Sequence, residues 1–184
     1  MPLSSVCIYC GSSDLVAHNY KQAAQNIGSE IAKRGLRLVY GGGHVGLMGI
    51  VADAALSSGG IVTGIIPEHI KNKEVQHDGL TELLVVPDMH TRKRMMIDRA
   101  DAFIILPGGL GTLDESFEIL TWKKLKLHDK PIIIFNQNGF WDEMLALIKK
   151  TVSEAFSQPP DLSLYEEVRT EEELLALLNK LQHA

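Results

Sequence analysis

Residues 102–112 read Ala-Phe-Ile-Ile-Leu-Pro-Gly-Gly-Leu-Gly-Thr. The apolar run Ala102–Leu106 does not alternate with polar residues, which is typical of a strand covered on both faces of a sheet. Glycines follow the run at once, and a helical pattern begins near Thr112. This order of strand, glycine loop and helix predicts the repeating unit of a parallel α/β sheet.

Short apolar runs of the same kind recur along the chain, with helical patterns between them. The predicted strands are Ser5–Cys10, Leu36–Tyr40, Ile61–Ile66, Leu83–Val86, Ala102–Leu106 and Ile132–Phe135. Helices are predicted before Gly35, from Asp88 to about Arg99, from Thr112 to about Leu127, around Trp141–Ile148 and over Glu171–Leu181. The alternation predicts α/β architecture in one domain over residues 1–184: a Rossmann-like, doubly wound parallel sheet with helices on both faces.

Composition and charge exclude several classes of protein. The net charge is −5, so no global positive field attracts DNA or RNA, and we expect no nucleic-acid partner. No apolar run is long enough for a membrane span, and the first residues do not resemble a signal peptide. The only cysteines are Cys7 and Cys10. On a strand they point to opposite faces, so we expect two inert buried thiols and a cytoplasmic location.

Glycine-rich stretches follow three of the predicted strands. They are Gly11–Ser13, Gly41–Gly49 and Pro107–Thr112, and all would meet at the carboxyl edge of the sheet, where ligands bind in such folds. Glycine allows positive φ and close approach of a ligand, and a following helix N-terminus attracts anions. The pattern favours an anion site, with tight strand-to-helix turns as the alternative.

The second loop also fits a different function. Gly41-x-Gly43-x-x-Gly46 matches the dinucleotide fingerprint, and Glu68 follows about 20 residues later, where a ribose ligand is expected. A nicotinamide-dependent oxidoreductase is therefore a competing hypothesis. Against it, the fingerprint normally lies on the first strand and helix, and here it lies on the second.

Two charged segments are candidate catalytic elements. Arg92-Lys93-Arg94 lies on one predicted helix, where one or two of the cations can face a pocket, and we expect Arg94 to be solvated. Glu115 has two interpretations. With Thr112 as N-cap it completes a capping box, or it points into the anion pocket as a catalytic carboxylate. The histidines show no metal-ligand spacing, so we expect no metal.

The segment Pro107–Glu115 matches the PGGxGTxxE motif, and with it the chain resembles the LONELY GUY family of cytokinin riboside 5′-monophosphate phosphoribohydrolases. The stretch Gly42–Gly49 resembles the first glycine loop of that family. Met89–Lys93 and Ala100–Phe103 are similar to its intervening segments. The resemblance covers residues from about 5 to about 155, and some relatives carry a lysine decarboxylase label.

The resemblance implies the site residues. It assigns the catalytic roles to Arg92 and Glu115, and it suggests a second glycine loop at Gly42, Gly43 and Gly46. The implied substrate-binding residues are Glu74, Arg92, Lys93, Gly109, Leu110, Gly111, Thr112, Leu113, Asp114, Glu115 and Thr121. It further implies a homodimer with the active site near the subunit contact, a nucleoside 5′-monophosphate substrate, and no cofactor.

These implications give one main hypothesis and two alternatives. The main one is hydrolysis of the N-glycosidic bond of an AMP-like nucleotide, with an N6-substituted adenine as the favoured base. A non-catalytic nucleotide sensor or carrier would use the same loops without turnover. The nicotinamide-dependent oxidoreductase remains the third.

Overall fold

The computed structural model describes residues 3–71 and 75–183. Within them the strands are β1 (Ser5–Tyr9), β2 (Arg37–Tyr40), β3 (Val62–Pro67), β4 (Glu82–Val86), β5 (Ala102–Ile105), β6 (Ile132–Phe135) and β7 (Glu166–Val168). The α-helices are α1 (His18–Lys33), α2 (Gly46–Ser57), α3 (Met89–Asp98), α4 (Leu110–Lys124), α5 (Asp142–Ser153) and α6 (Glu171–Gln182). Short 3₁₀ turns cover Glu68–Ile70, Gln137–Gly139 and Pro159–Ser163.

The described strands form one seven-stranded sheet in the order β4-β3-β2-β1-β5-β6-β7. Every neighbouring pair is parallel; for example, Val6 on β1 pairs with Leu38 on β2 and with Ala102 on β5. The chain winds outward from β1 in one direction and from β5 in the other. The strand order therefore reverses between β1 and β5, which makes their carboxyl ends the expected ligand site.

Helices cover both faces of the sheet. Alternate side chains of β1 enter different cores: Val6 and Ile8 pack with α1, α2 and α6, whereas Cys7 and Tyr9 pack with α3, α4 and α5. The central strands are buried along their whole length, as their unalternating apolar sequence predicts. The Rossmann-like, doubly wound α/β fold is confirmed.

The beginning of α4 differs from the prediction. The helix begins at Leu110 with Gly109 as N-cap, and no side chain of the described residues caps it. Thr112 therefore lies inside the first turn, and the capping box of Thr112 with Glu115 is wrong. Glu115 has no role in capping the helix, because it lies more than one turn after the helix start. The N-cap of α3 is confirmed: the Asp88 carboxylate accepts from Thr91 N at 2.7 Å.

Two elements were absent from the prediction. The edge strand β7 carries Glu166 and Glu167, which are exposed, and only Val168 is buried, so it shows no apolar run. Helix α2 begins directly in the glycine loop, where the sequence shows a turn rather than a helix start. Among the described residues, no helix combines the length and the apolar character that crossing a membrane requires.

Candidate active site

The first and third glycine loops meet at the switch point of the sheet. Gly11 N donates to Pro107 O at 3.0 Å, and a Cβ on Gly108 would lie 2.9 Å from Gly11 N, so the two backbones touch. Leu47 N in turn donates to Gly11 O at 3.0 Å. The expectation that these loops share one edge is therefore confirmed.

A cavity of about 200 Å³ opens between these loops. Residues that follow β1 and residues of α2, α3 and α4 converge on it, because the strands that precede them end at the same edge. The residues that line it are Cys10, Gly11, Ser12, Met48, Met89, Arg92, Gly109, Leu110, Gly111, Thr112, Asp114 and Glu115.

Arg92 reaches the cavity from α3 and is 4% exposed. Its Nε donates to Ile65 O at 3.1 Å and its Nη2 to Gly41 O at 3.0 Å. A Cβ on Gly41 would lie 2.0 Å from that Nη2, so only glycine leaves room for the guanidinium there. Two carbonyls thus fix the plane of a buried cation at the cavity wall.

Glu115 reaches the same cavity from α4 and is 9% exposed. Burial raises the pKa of the Cys7 thiol well above its usual value, and the nearby Glu115 carboxylate raises it further. The same carboxylate contributes to the raised pKa of Tyr9, after burial and Cys7. The negative charge of Glu115 therefore lies close to the carboxyl end of β1, where Cys7 and Tyr9 are. Cys7 and Cys10 are both buried, as predicted, and no disulfide among the described residues includes them.

The N-terminus of α4 forms the third wall of the cavity. Its first helical bond runs from Leu113 N to Gly109 O at 3.0 Å, so the N–H groups of Leu110, Gly111 and Thr112 precede it. Within residues 3–71 and 75–183, no side chain caps this end. A Cβ on Gly109 or Gly111 would meet no atom within 4 Å, so the space beside them is open. Uncapped N–H groups facing open space are suited to an anion.

The expectation that Gly109 and Gly111 adopt a positive φ is wrong. Gly109 has φ −99°, and neither it nor Gly111 is among the positive-φ glycines of the described residues. Positive φ occurs instead in the second loop, at Gly42 and Gly46. Glycine at positions 109 and 111 therefore serves close approach of a ligand, not an unusual backbone conformation.

The N-terminus of α2 is occupied by the protein itself. The Asp14 carboxylate accepts from Gly46 N at 2.9 Å, and Gly11 O accepts from Leu47 N. A Cβ on Gly46 would lie 2.5 Å from the Ser12 carbonyl carbon. A pyrophosphate would have to displace this carboxylate, so the geometry disfavours the dinucleotide hypothesis. Glu68 is exposed and pairs with Lys71 at 3.3 Å.

The basic triplet on α3 divides as predicted. Arg92 and Lys93 are buried, whereas Arg94 is exposed and stacks 5.4 Å above the Trp122 ring. Lys93 does not line the cavity. Its Nζ lies 3.1 Å from both Asp114 and Glu118 on α4. Burial opposes its charge, but these hydrogen bonds outweigh it and raise the pKa of Lys93.

Other residues that the resemblance assigns to the substrate lie elsewhere. Thr121 is exposed in a separate groove between α4 and α5, and Leu113 packs against the core under α4. Gly42, Gly43 and Gly46 line no part of the cavity. Glu74 lies outside the described residues.

The structure also brings together a cluster that no sequence spacing indicated. One ligand atom each from His44, Asp53 and His77 lies within 4.8 Å of the others, the one such group found among the described residues. Gly79 N donates to His77 Nδ1 at 3.1 Å, so His77 Nε2 carries the proton that it donates to Asp53. A metal at Nε2 would need the opposite tautomer, so hydrogen bonding accounts for this cluster better than metal binding.

The open space beside Gly111 gives a first prediction. Replacing Gly111 with valine should leave the protein folded, because a Cβ at this position meets no atom of the described residues within 4 Å and valine suits a helix at least as well as glycine. The variant should have a kcat/KM for AMP about 100-fold lower, because its side chain would block one or two charge-assisted hydrogen bonds to the phosphate. Gly111→Ala, with a smaller side chain, should lose less. Unchanged turnover in Gly111→Val would show that the loop is only a turn.

Solved structures share the fold. A molybdenum cofactor carrier protein from Chlamydomonas reinhardtii matches with a TM-score of 0.76 at 19% identity, over 99% of each chain. A molybdenum cofactor binding protein from Rippkaea orientalis matches with a TM-score of 0.74 at 22% identity, over 98% of each. At these identities the likeness concerns the architecture alone.

The sequence comparisons are more specific. A family model described as "Possible lysine decarboxylase" matches residues 48–178. The described residues that line the cavity include no lysine, which a pyridoxal phosphate enzyme needs for its Schiff base. A cytokinin riboside 5′-monophosphate phosphoribohydrolase from Rhodococcoides fascians is 49% identical over 84% of this chain and 79% of its own.

Plant relatives extend this likeness. One from Arabidopsis thaliana with the same enzyme name is 41% identical over 95% of this chain and 81% of its own. A probable enzyme of that name from Oryza sativa is 42% identical over 95% of this chain and 71% of its own. With the motif, the cavity and these relatives in agreement, this chain belongs to the LONELY GUY family of cytokinin riboside 5′-monophosphate phosphoribohydrolases.

Proposed function

We propose that this protein hydrolyses the N-glycosidic bond of a nucleoside 5′-monophosphate, giving a free base and ribose 5-phosphate. One observation carries the proposal: a buried cation, Arg92, and a buried carboxylate, Glu115, line one cavity together with the uncapped N-terminus of α4. The names of the curated relatives support the same reaction. We propose an N6-substituted adenine as the favoured base, in keeping with those names.

The phosphate is assigned to the N-terminus of α4. The N–H groups of Leu110, Gly111 and Thr112 and the helix dipole attract a dianion without any lysine. Holding the phosphate fixes the ribose in the cavity, and this converts the attack on the sugar into an effectively intramolecular step.

Glu115 is assigned to act at C1′ of the ribose, the carbon whose bond to the base breaks. Breaking the bond from C1′ to the base nitrogen develops positive charge on the ribose, as in other glycoside hydrolyses. The carboxylate stabilises that charge and takes a proton from the attacking water, whose oxygen bonds to C1′. The departing base takes up a proton as it leaves. No redox step occurs, so the reaction itself requires no redox cofactor.

Arg92 is assigned two roles: it binds the substrate, and it keeps the Glu115 carboxylate ionised. Its guanidinium donates to Ile65 O and Gly41 O, and these two bonds fix its orientation. A buried cation near a buried carboxylate favours the ionised form of that carboxylate, which is the form a general base needs. Lys93 contributes indirectly by tying α3 to α4 through Asp114 and Glu118.

The rival sensor or carrier function uses the same cavity, so turnover is the deciding property. Incubation with AMP should release free adenine at a rate proportional to protein. Tight AMP binding without release of adenine would instead establish the sensor or carrier.

Phosphate anchoring gives a second prediction. Adenosine lacks the 5′-phosphate and so forgoes two or three charge-assisted hydrogen bonds, each worth about 1.5–3 kcal/mol. Its kcat/KM should fall at least about 100-fold below that of AMP, because binding energy at the phosphate also lowers the barrier at C1′. The measurement is base release from both compounds at equal concentration. Equal rates would contradict the placement of the phosphate at α4.

A homodimer is part of the proposal. A groove of about 330 Å³ between α4 and α5 carries Phe117, Thr121 and Leu147, and Leu147 is 54% exposed. Because the family resemblance assigns Thr121 to the substrate, a second copy packed on this groove explains both the apolar face and that assignment. A second copy also gives such an exposed apolar surface a partner.

The third prediction tests this contact. Leu147→Glu should convert a dimer into a monomer, since it places a charge on the apolar groove. Sedimentation velocity gives the mass of both proteins. Ile61→Glu is the control, because Ile61 is 46% exposed and lies outside the groove. A wild-type protein that sediments as a monomer would contradict the proposal.

A cytoplasmic location also belongs to the proposal. Cys7 and Cys10 are buried, and no disulfide among the described residues includes them. Cysteines outside disulfides are usual in proteins of a reducing compartment.

A further inference from the structure

The second glycine loop is held by a segment that comes much later in the chain. Residues 75–80, the docked segment, lie against residues 42–44: Gly43 and Gln76 form an antiparallel bridge. His44 N donates to Val75 O at 2.8 Å, and His77 N donates to Gly42 O at 3.0 Å. These hydrogen bonds join the loop and the docked segment into one unit.

One carboxylate joins this unit to α2. His77 Nε2 donates to Asp53 Oδ1 at 2.9 Å, and His44 Nε2 lies 3.3 Å from Asp53 Oδ2. The two rings are 4.4 Å apart. The His77 side chain is only 6% exposed, whereas those of His44 and Asp53 are about half exposed. Asp53 thus uses both oxygens to hold one histidine from the loop and one from the docked segment.

The loop and the docked segment are connected to the active site through Gly41. Gly42, which accepts from His77, directly follows Gly41, and Gly41 O accepts from Arg92 Nη2 at 3.0 Å. The guanidinium also packs directly over the Gly41 α-carbon. A shift of this loop by an ångström would move the acceptor that orients Arg92, and misplacements of that size can cost about 100-fold in rate.

We propose that Asp53 is a positioning residue for catalysis, which acts through the two histidines and Gly41 on the orientation of Arg92. The inference rests on the proposed function, since Arg92 is assigned its role there. It goes beyond that function, because Asp53, His44 and His77 do not line the cavity.

The test is Asp53→Asn, because asparagine keeps the shape but replaces one of the two carboxylate oxygens with an NH2 donor, so one of the two histidines loses its acceptor. We expect kcat/KM for AMP to fall at least about tenfold, with the melting temperature nearly unchanged. Asp98→Asn is the matched control: its side chain is also 55% exposed and pairs with Arg94 on the solvent side of α3. His44→Gln, which leaves the bond between Asp53 and His77 intact, should lose less.

A double-mutant cycle separates positioning from a merely structural role. If Asp53 acts through Arg92, Asp53→Asn should cost little further activity in an Arg92→Lys background, because its target is already lost. Losses that multiply, or an Asp53→Asn enzyme within twofold of wild type, would overturn the inference and leave the proposed function intact. A wild-type protein that releases no base would overturn the proposed function. In that case the positioning claim falls with it.

Discussion

Glu115→Gln should abolish most of the base release from AMP while leaving the protein folded. The amide is nearly the same size as the carboxylate, but it cannot take a proton from water or offset the charge on the ribose. Loss of a general base typically costs about 10²–10⁴-fold, and loss of the charge adds to that. The affinity for AMP should change far less, because the ribose cation forms only in the transition state.

The structure sharpens this prediction. Because α4 begins at Leu110, Glu115 lies beyond the first turn, and the substitution removes no helix cap. The thermal melt should therefore stay close to wild type. Glu143→Gln is a control of the same chemistry, since Glu143 is exposed on α5 and lines no part of the cavity. A Glu115→Gln enzyme that keeps more than about a tenth of the wild-type kcat would contradict the assigned role.

Arg92→Lys should produce the second large loss. Arg92 donates through Nε to Ile65 O and through Nη2 to Gly41 O, and its Nη1 lies 3.7 Å from Met89 Sδ. A lysine ammonium keeps the charge but cannot reproduce the planar fork. Losing one preorganised donor at the reacting centre costs about 10²–10³-fold, so kcat/KM for AMP should fall by at least about 100-fold.

The matched control for this prediction lies two residues away. Arg94→Lys changes the same chemical group on the same helix, but Arg94 is exposed and pairs with Asp98. It should retain nearly full activity. The measurement is kcat/KM for AMP with a thermal melt of each variant. Arg92→Lys activity above about a third of wild type would show that charge alone suffices.

Much of the fold could be predicted because each central strand is covered on both faces. Such strands have unalternating apolar sequences, and the predicted strands from Ser5–Cys10 to Ile132–Phe135 are all present. The strand β7 could not be predicted in this way, because it lies at the edge and exposes Glu166 and Glu167. The start of α4 was placed wrongly, since Gly109 caps it without a side-chain signal.

The site was predictable where local sequence decides it and not where tertiary packing does. The open N-terminus of α4 follows from the glycines around Leu110. Helical spacing shows that Arg92 and Arg94 cannot share a face, but only the packed sheet decides which one is buried. The contact of Asp53 with His77 joins residues far apart in the sequence, so no motif spacing could reveal it.

The central claim is that water cleaves the bond between base and ribose. The most direct test is to incubate the purified protein with AMP and quantify adenine, ribose 5-phosphate, adenosine and inorganic phosphate. The account predicts adenine and ribose 5-phosphate in equal amounts, formed at a rate that Glu115→Gln lowers at least about 100-fold. Adenosine with inorganic phosphate as the products, or bound AMP that is never cleaved, would contradict it.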